Sequence, residues 1–216
     1  MIFELEQVNT NFDMSWFGVK DGHAFLVALA PFEKGRLRVK IDYPKDKHQM
    51  LCFDPLDTTE GKTLNDRLSF KVYEEDERKG TITGKRKSCK GFLQSYNYLA
   101  FTYGEENYYL YEVGFGHKGL YLCVYQEDHL IAIADKALVV KNYRDMYKVY
   151  AEDEANLQAI LPLLLQYDLT AHGDLMEISL YSKKKKIVNT IQKELKEKYD
   201  PAFVERILRH ERLEEK

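Results

Sequence analysis

The chain has 216 residues, 44% hydrophobic and 31% charged, with a formal net charge of -3. Its 12 Gly and 5 Pro fall without period, which excludes a collagen-like or low-complexity chain, and its 16 Tyr and 11 Phe bury too much surface for a disordered one. That leaves a globular protein with one substantial core, near the upper size of a single domain.

Cys52, Cys89 and Cys123 are far apart and form no CxxC pair. They read as buried thiols in a reducing compartment, not as a disulfide framework or a zinc site. No stretch approaches the roughly 18 consecutive apolar residues of a membrane-spanning helix. Met1-Ile2-Phe3-Glu4-Leu5-Glu6 carries no basic n-region and no h-region, so no signal peptide is expected. The expected location is the cytoplasm, peripheral at the membrane. Charge is uneven. Residues 182–216 hold 11 Lys/Arg and 7 Asp/Glu, a net of +4, which leaves -7 on the 181 residues before them. A basic tail on an acidic body points to an anionic partner near the C-terminus.

From residue 1 to about 151 the pattern is that of strands. The clearest runs are 23–30, 36–43, 49–53, 68–73, 98–103, 108–114, 120–125 and 130–134. Gly22, Gly35, Pro44, Pro55, Gly80, Gly104 and the Glu127-Asp128 pair punctuate them as turn residues. Arg36-Leu37-Arg38-Val39-Lys40-Ile41 alternates, so that strand shows one face to water. Many short strands without helical segments between them predict an antiparallel barrel or sandwich, not a parallel α/β sheet.

Residues 157–169 break this pattern. They are too long for a strand and apolar on every side, and Glu152-Asp153-Glu154 before them suits a helix N-terminus. A helix that is apolar all round is buried all round. The reading is therefore one helix, at about 154–168, inside a shell of strands. An interior proline costs about 3 kcal/mol, so Pro162 predicts a kink near Leu161. A further strand is expected at 175–181. Beyond it, Ile187, Ile191, Leu195 and Tyr199 recur at four-residue steps with Val188 beside them, and Phe203, Val204, Ile207 and Leu208 form a second stripe. Asp200-Pro201 between the stripes reads as an N-cap followed by proline at the first helical position. Two short amphipathic helices are expected.

Residues 119–169 carry a resemblance. They run Gly119-Leu120-Tyr121-Leu122-Cys123-Val124-Tyr125, Asp128-His129-Leu130-Ile131-Ala132, Asp145-Met146-Tyr147-Lys148-Val149-Tyr150, then the apolar helix ending Tyr167-Asp168-Leu169. This order resembles the C-terminal part of the tubby-like fold shared by tubby, phospholipid scramblase and LURP-one-related proteins. In that superfamily a D-x-Y-x-[IV] strand leads into a hydrophobic helix enclosed by a closed barrel, and Asp145, Tyr147 and Val149 occupy the matching places. About 50 residues are similar at this level, and the first 118 only as a strand pattern. The resemblance implies a mainly β fold: a closed antiparallel β-barrel around a buried hydrophobic helix over residues 1–181, with a helical extension at 182–216. It also implies a binding or scaffold protein, since tubby domains bind phosphoinositides through surface basic residues. The cysteine-rich and membrane-anchor segments of scramblases have no counterpart here, so lipid scrambling is not implied.

Two basic clusters are candidates for binding an anion or a lipid headgroup. Lys79, Lys85, Arg86, Lys87 and Lys90 follow the acidic run Glu74-Glu75-Asp76-Glu77. Grouped cations raise the local concentration of an anionic partner, whereas a solvated hairpin with balanced charges is the plainer alternative. Lys183, Lys184, Lys185 and Lys186 stand beside an apolar stripe and suit an acidic membrane, unless that stripe packs on the barrel or on a second copy. The six histidines show no HExxH and no ligand spacing. Gly114-Phe115-Gly116-His117-Lys118-Gly119 reads as a hairpin connection and not as a phosphate loop. The tyrosines between residues 100 and 125 read as barrel wall more readily than as a base-stacking surface. No nucleophile–base pair and no catalytic, cofactor or metal residues are identified, so an enzyme and a nucleic-acid partner are disfavoured. The expected function is non-enzymatic binding of anionic phospholipid or a membrane surface. The alternative is a scaffold protein whose C-terminal residues 187–213 dimerise or dock a protein partner.

Overall fold

In the computed structural model, the described residues are all of the chain except 10–12, 34–35, 44–46, 54–68, 90–94, 139–144, 172–186 and 215–216. The strand expected at 175–181, Lys90 and Lys183 to Lys186 lie outside them. Twelve described strands form one closed antiparallel barrel. They are β1 (Ile2–Asn9), β2 (Asp13–Lys20), β3 (His23–Glu33), β4 (Arg36–Asp42), β5 (His48–Phe53), β6 (Phe70–Glu74), β7 (Glu77–Ser88), β8 (Ser95–Tyr103), β9 (Glu106–Gly114), β10 (Leu120–Gln126), β11 (His129–Lys136) and β12 (Met146–Ala151). Each strand pairs with the next, and β1 closes the ring against β12 with Ile2 opposite Tyr150. Of the expected turn residues, Gly22, Gly104 and Glu127 take the positive φ that tight hairpins need, as do Asp21, Glu75 and Asp76, whereas Gly80 lies inside β7 and Gly35, Pro44 and Pro55 fall outside the described residues.

A barrel of about eight strands can be filled by side chains alone, and twelve enclose a wider space. Here α1 (Leu157–Ala171) fills it, entered through a 3₁₀ turn at Glu154–Asn156 that Asp153 caps through the amide of Ala155. Leu157, Ile160, Leu161, Leu163, Leu164, Leu165 and Leu169 are buried against the inward positions of the strands, among them Phe3, Leu5, Trp16, Ile41, Leu51, Val72, Ile82 and Phe101. The helix is buried on all sides because its sequence has no polar stripe to show.

Several polar groups inside the barrel are paired. Asp168 on α1 accepts from Trp16 Nε1 at 2.8 Å and from the Tyr147 hydroxyl. Burial, the largest influence, pushes its carboxyl up to about 6, against the two hydrogen bonds. Lys136 and Asp145 form a buried ion pair beside it, with the Lys136 ammonium 4.8 Å from the centre of the Tyr147 ring. Pro162 lies inside α1, which runs through it from Leu157 to Ala171. Proline has no N–H for the carbonyl four residues earlier. That carbonyl, on Gln158, accepts from the buried Gln49 Nε2 at 3.2 Å instead.

A second apolar cluster lies on the outside of the wall. Tyr111, Val113, Cys123, Tyr125, Ile133 and Tyr150 point outward there. They pack beneath the single turn α2 (Lys193–Lys196) and the longer α3 (Pro201–Glu214), which contribute Leu195, Phe203 and Ile207. Asp200 caps α3 through the Ala202 amide at 2.9 Å, with Pro201 first in the helix, as the sequence indicated.

The first of the two expected C-terminal helices is absent as such. Residues 187–192 are extended, and helix is confined to one turn at Lys193–Lys196. Thr190 N donates to the Gly114 carbonyl at 2.9 Å, Gly116 N to the Val188 carbonyl at 2.8 Å, and Gly114 N to Thr190 Oγ1 at 2.9 Å. The segment therefore lies as a strap across the β9–β10 connection. Four-residue spacing of Ile187 and Ile191 fits a strand as well as a helix, because four is also two strand periods.

Candidate functional site: a basic rim at one end of the barrel

β7 carries the first basic cluster, and the fold divides it. Lys79 sits near the β6–β7 turn, where its Nζ is 2.5 Å from Glu77 Oε2. Glu77 and its neighbours hold the Lys79 ammonium above its ordinary range, with the Glu77 hydrogen bond the main cause. Six residues of extended chain, about 20 Å at 3.3 Å each, separate it from Lys85. The ion partner of Lys79 is thus two residues away on its own strand.

Lys85, Arg86 and Lys87 stand at the opposite end of β7, exposed on the rim where β8 begins and β9 ends. They sit opposite Tyr98, Asn97 and Tyr96 of β8. Arg86 Nε donates to Ser95 Oγ at 2.8 Å. Lys87 Nζ is 3.4 Å from Glu194 Oε2 of α2. Tyr96 and Glu194 together raise its ammonium above the usual range, Tyr96 being the larger influence. Lys85 forms no ion pair with any other described residue.

The same rim opens into a cavity of about 200 Å³ near the C-terminal end of α1, lined in part by Lys85, Asn97, Leu99, Leu110, Glu112 and Tyr167. Strand alternation, with Ile82 inward, places Gly84 on the inner face, where it leaves this space open. The Tyr167 hydroxyl donates to Glu112 inside it. Burial first, and then the Glu112 carboxylate, push the Tyr167 phenol far above its ordinary range, so it stays a donor.

The strap meets this rim. Gln192 Nε2 donates to the Ser95 carbonyl at 2.9 Å, one residue before the α2 turn that brings Glu194 to Lys87. Along 187–192 burial alternates. Val188, Thr190 and Gln192 face the barrel, while Ile187 is 46% and Ile191 68% exposed. Sequence reasoning placed these two isoleucines on the apolar stripe of an amphipathic helix. The missed signal is the run Ile-Val-Asn-Thr-Ile, rich in β-branched residues that favour extended backbone.

The opposite mouth is differently built. A cavity of about 480 Å³ beside the start of α1 is lined by Tyr43, Lys47, Asp153, Glu154 and Gln158, among others. Behind it the Tyr43 hydroxyl donates to Gln49, Gln49 Nε2 to Tyr103 Oη at 3.3 Å, and Tyr103 Oη to Glu74 Oε2 at 3.0 Å. Gln158 Nε2 reaches Glu74 Oε1 at 3.4 Å. This ring ties α1 to β5, β6 and β8.

The tyrosines divide between the two faces of the wall. Tyr103 and Tyr108 pack with the interior around Phe101. Tyr109, Tyr111, Tyr121 and Tyr125 belong to the outer cluster, where Lys198 Nζ lies 4.8 and 4.5 Å from the Tyr111 and Tyr125 ring centres. Of the histidines, His48 contacts Asp42 at 2.6 Å and His129 contacts Glu152 at 2.7 Å, both exposed. Among the described residues no group of three His, Cys, Asp or Glu is placed to hold a metal ion, and no helix is long and apolar enough to cross a membrane.

Fold and site together define a helix-filled antiparallel β-barrel with one basic rim. Comparison with protein-family models, with curated proteins and with solved structures finds no match. A closed barrel alone does not define the tubby and scramblase superfamily.

Proposed function

We propose that the chain is a non-enzymatic binding protein of the tubby-like kind that engages anionic phospholipid at a membrane surface through the rim of Lys85, Arg86 and Lys87. The observation that carries this reading is the exposure of three consecutive cations on one rim. α1 occupies the interior and α2 and α3 cover part of the outer wall, while the rims stay open to a ligand. Phosphate groups suit a rim that combines a guanidinium with two ammonium groups. Lys90, Lys183, Lys184, Lys185 and Lys186, the other cations of the two sequence clusters, lie outside the described residues. In this reading the protein is cytoplasmic, consistent with its three free thiols, and peripheral at the membrane.

The alternative is a scaffold whose residues 187–213 dimerise or dock a partner. Phe203 and Ile207 are already buried on the chain's own barrel, which favours the lipid reading.

Co-sedimentation with vesicles tests it. Each basic residue near an anionic surface contributes about 1 kcal/mol, so Lys85→Gln, Arg86→Gln and Lys87→Gln together weaken binding roughly a hundredfold. Binding also fades with salt and needs anionic lipid. Binding indifferent to lipid charge, or kept by the folded triple variant, overturns the reading.

A further inference from the structure

We infer that Ile187 and Ile191 are the membrane-inserting residues of this rim, entering the headgroup–acyl boundary of an anionic bilayer while Lys85, Arg86 and Lys87 rest on its phosphates. This rests on the lipid reading above and names how the surface is engaged.

Three observations carry it. The first is exposure. Ile187 and Ile191 are among the few large hydrophobic side chains exposed on the described surface, and they occur four residues apart on the same side of one extended segment. Four extended residues span about 13 Å, so two separate apolar points are presented. Isolated exposed apolar residues are ordinary, but a pair held in register beside a basic edge is the pattern of an interfacial anchor.

The second is rigidity. The strap cannot turn over to bury them. Val188 and Thr190 are tied to Gly114 and Gly116 by three backbone-directed hydrogen bonds of 2.8 to 2.9 Å. Gly114 approaches so closely that a Cβ there would lie 2.3 Å from the Val188 carbonyl oxygen. The isoleucines are held outward before any partner arrives, which spares the cost of ordering them on binding.

The third is charge. The strap runs from the β9–β10 connection to the start of β8, where Gln192 holds the Ser95 carbonyl and Glu194 reaches Lys87. Apolar side chains and cations therefore share one end of the molecule. An anionic bilayer satisfies both at once: its phosphates take the cations, and its acyl region takes the isoleucines. A soluble polyanion satisfies only the first, and a second copy of the chain would bring like charges together.

The test uses the full chain with two probes: vesicles of phosphatidylcholine and phosphatidylglycerol, and heparin as a soluble polyanion. Ile187→Ser with Ile191→Ser is expected to weaken vesicle binding about tenfold or more and to leave heparin retention unchanged. A separate Ile191→Trp variant is expected to be quenched by brominated lipid. The native Trp16 is fully buried and stays unquenched. Unchanged thermal unfolding shows that the serine variant is folded.

If wild type binds vesicles but the double serine variant binds equally and the Ile191→Trp variant is not quenched, the insertion is wrong and the lipid reading survives. If wild type binds neither probe, both are wrong. If the serine substitutions instead dissolve a concentration-dependent dimer and leave vesicle binding intact, the surface belongs to a second copy and the inference is overturned.

Discussion

Pro162 sits inside the central helix, where its missing N–H leaves the part-buried Gln158 carbonyl without a helical donor. The Gln49 side chain replaces the lost donor. A buried unsatisfied carbonyl costs about 1–3 kcal/mol, so Gln49→Leu is expected to lower stability by about 2 kcal/mol. Pro162→Ala returns an N–H to that carbonyl. In its background the same Gln49→Leu change costs less, and a double-mutant cycle in urea measures the difference. Equal losses in both backgrounds would show that the two residues are not coupled. Asp168 gives a second residue-scale outcome. Its folded carboxyl titrates near 6, above the ordinary 3.8, so the native state holds its proton to higher pH than the unfolded chain does. Stability from this group is therefore fully present below about pH 4, falls as pH rises toward 6, and is level above that. Asp168→Asn cannot titrate. The variant is expected to trail wild type by more at pH 4.5 than at pH 7.5, read from urea midpoints. A gap that does not change with pH would show an ordinary carboxyl.

At the scale of elements, the C-terminal extension shows what the sequence could and could not tell. The helix α3 was legible because its signals are local: Asp200 and Pro201 start it, and Phe203 and Ile207 share one face. The strap before it was not, because its conformation is set by Gly114, more than seventy residues away in sequence. β7 was hard to see for a related reason. Its inward positions include Gly80 and Gly84, so Ile82 is its one buried apolar residue. The central helix was legible because its lack of a polar face has only one physical solution. The basic cluster was legible in composition but not in layout, since only the length of β7 reveals that Lys79 is about 20 Å from its neighbours. Gly114→Ala tests the strap. The added methyl collides with the Val188 carbonyl. Amide exchange at Thr190 and Gly116 is expected to speed up by tenfold or more while the amides of α1 keep their protection. Unchanged exchange at those two amides would show that the strap is held by something else.

For the whole molecule, two apolar clusters divide the work. The inner one joins α1 to the wall, and the outer one fastens α2 and α3 to its far surface. The two ends of the barrel are thereby made unlike. One mouth is braced beside its cavity by the ring of Tyr43, Gln49, Tyr103, Glu74 and Gln158, and the other carries the cations and the isoleucines. The order of the chain has one more consequence. The ring closes only when β1 finds β12, with Ile2 meeting Tyr150, and the helix that fills it is encoded after both. A ribosome therefore releases the entire wall before its plug. Until residues 157–171 emerge, the growing chain holds open strand edges around an empty, oily interior, which makes this protein a natural client for chaperones and a slow folder governed by distant contacts.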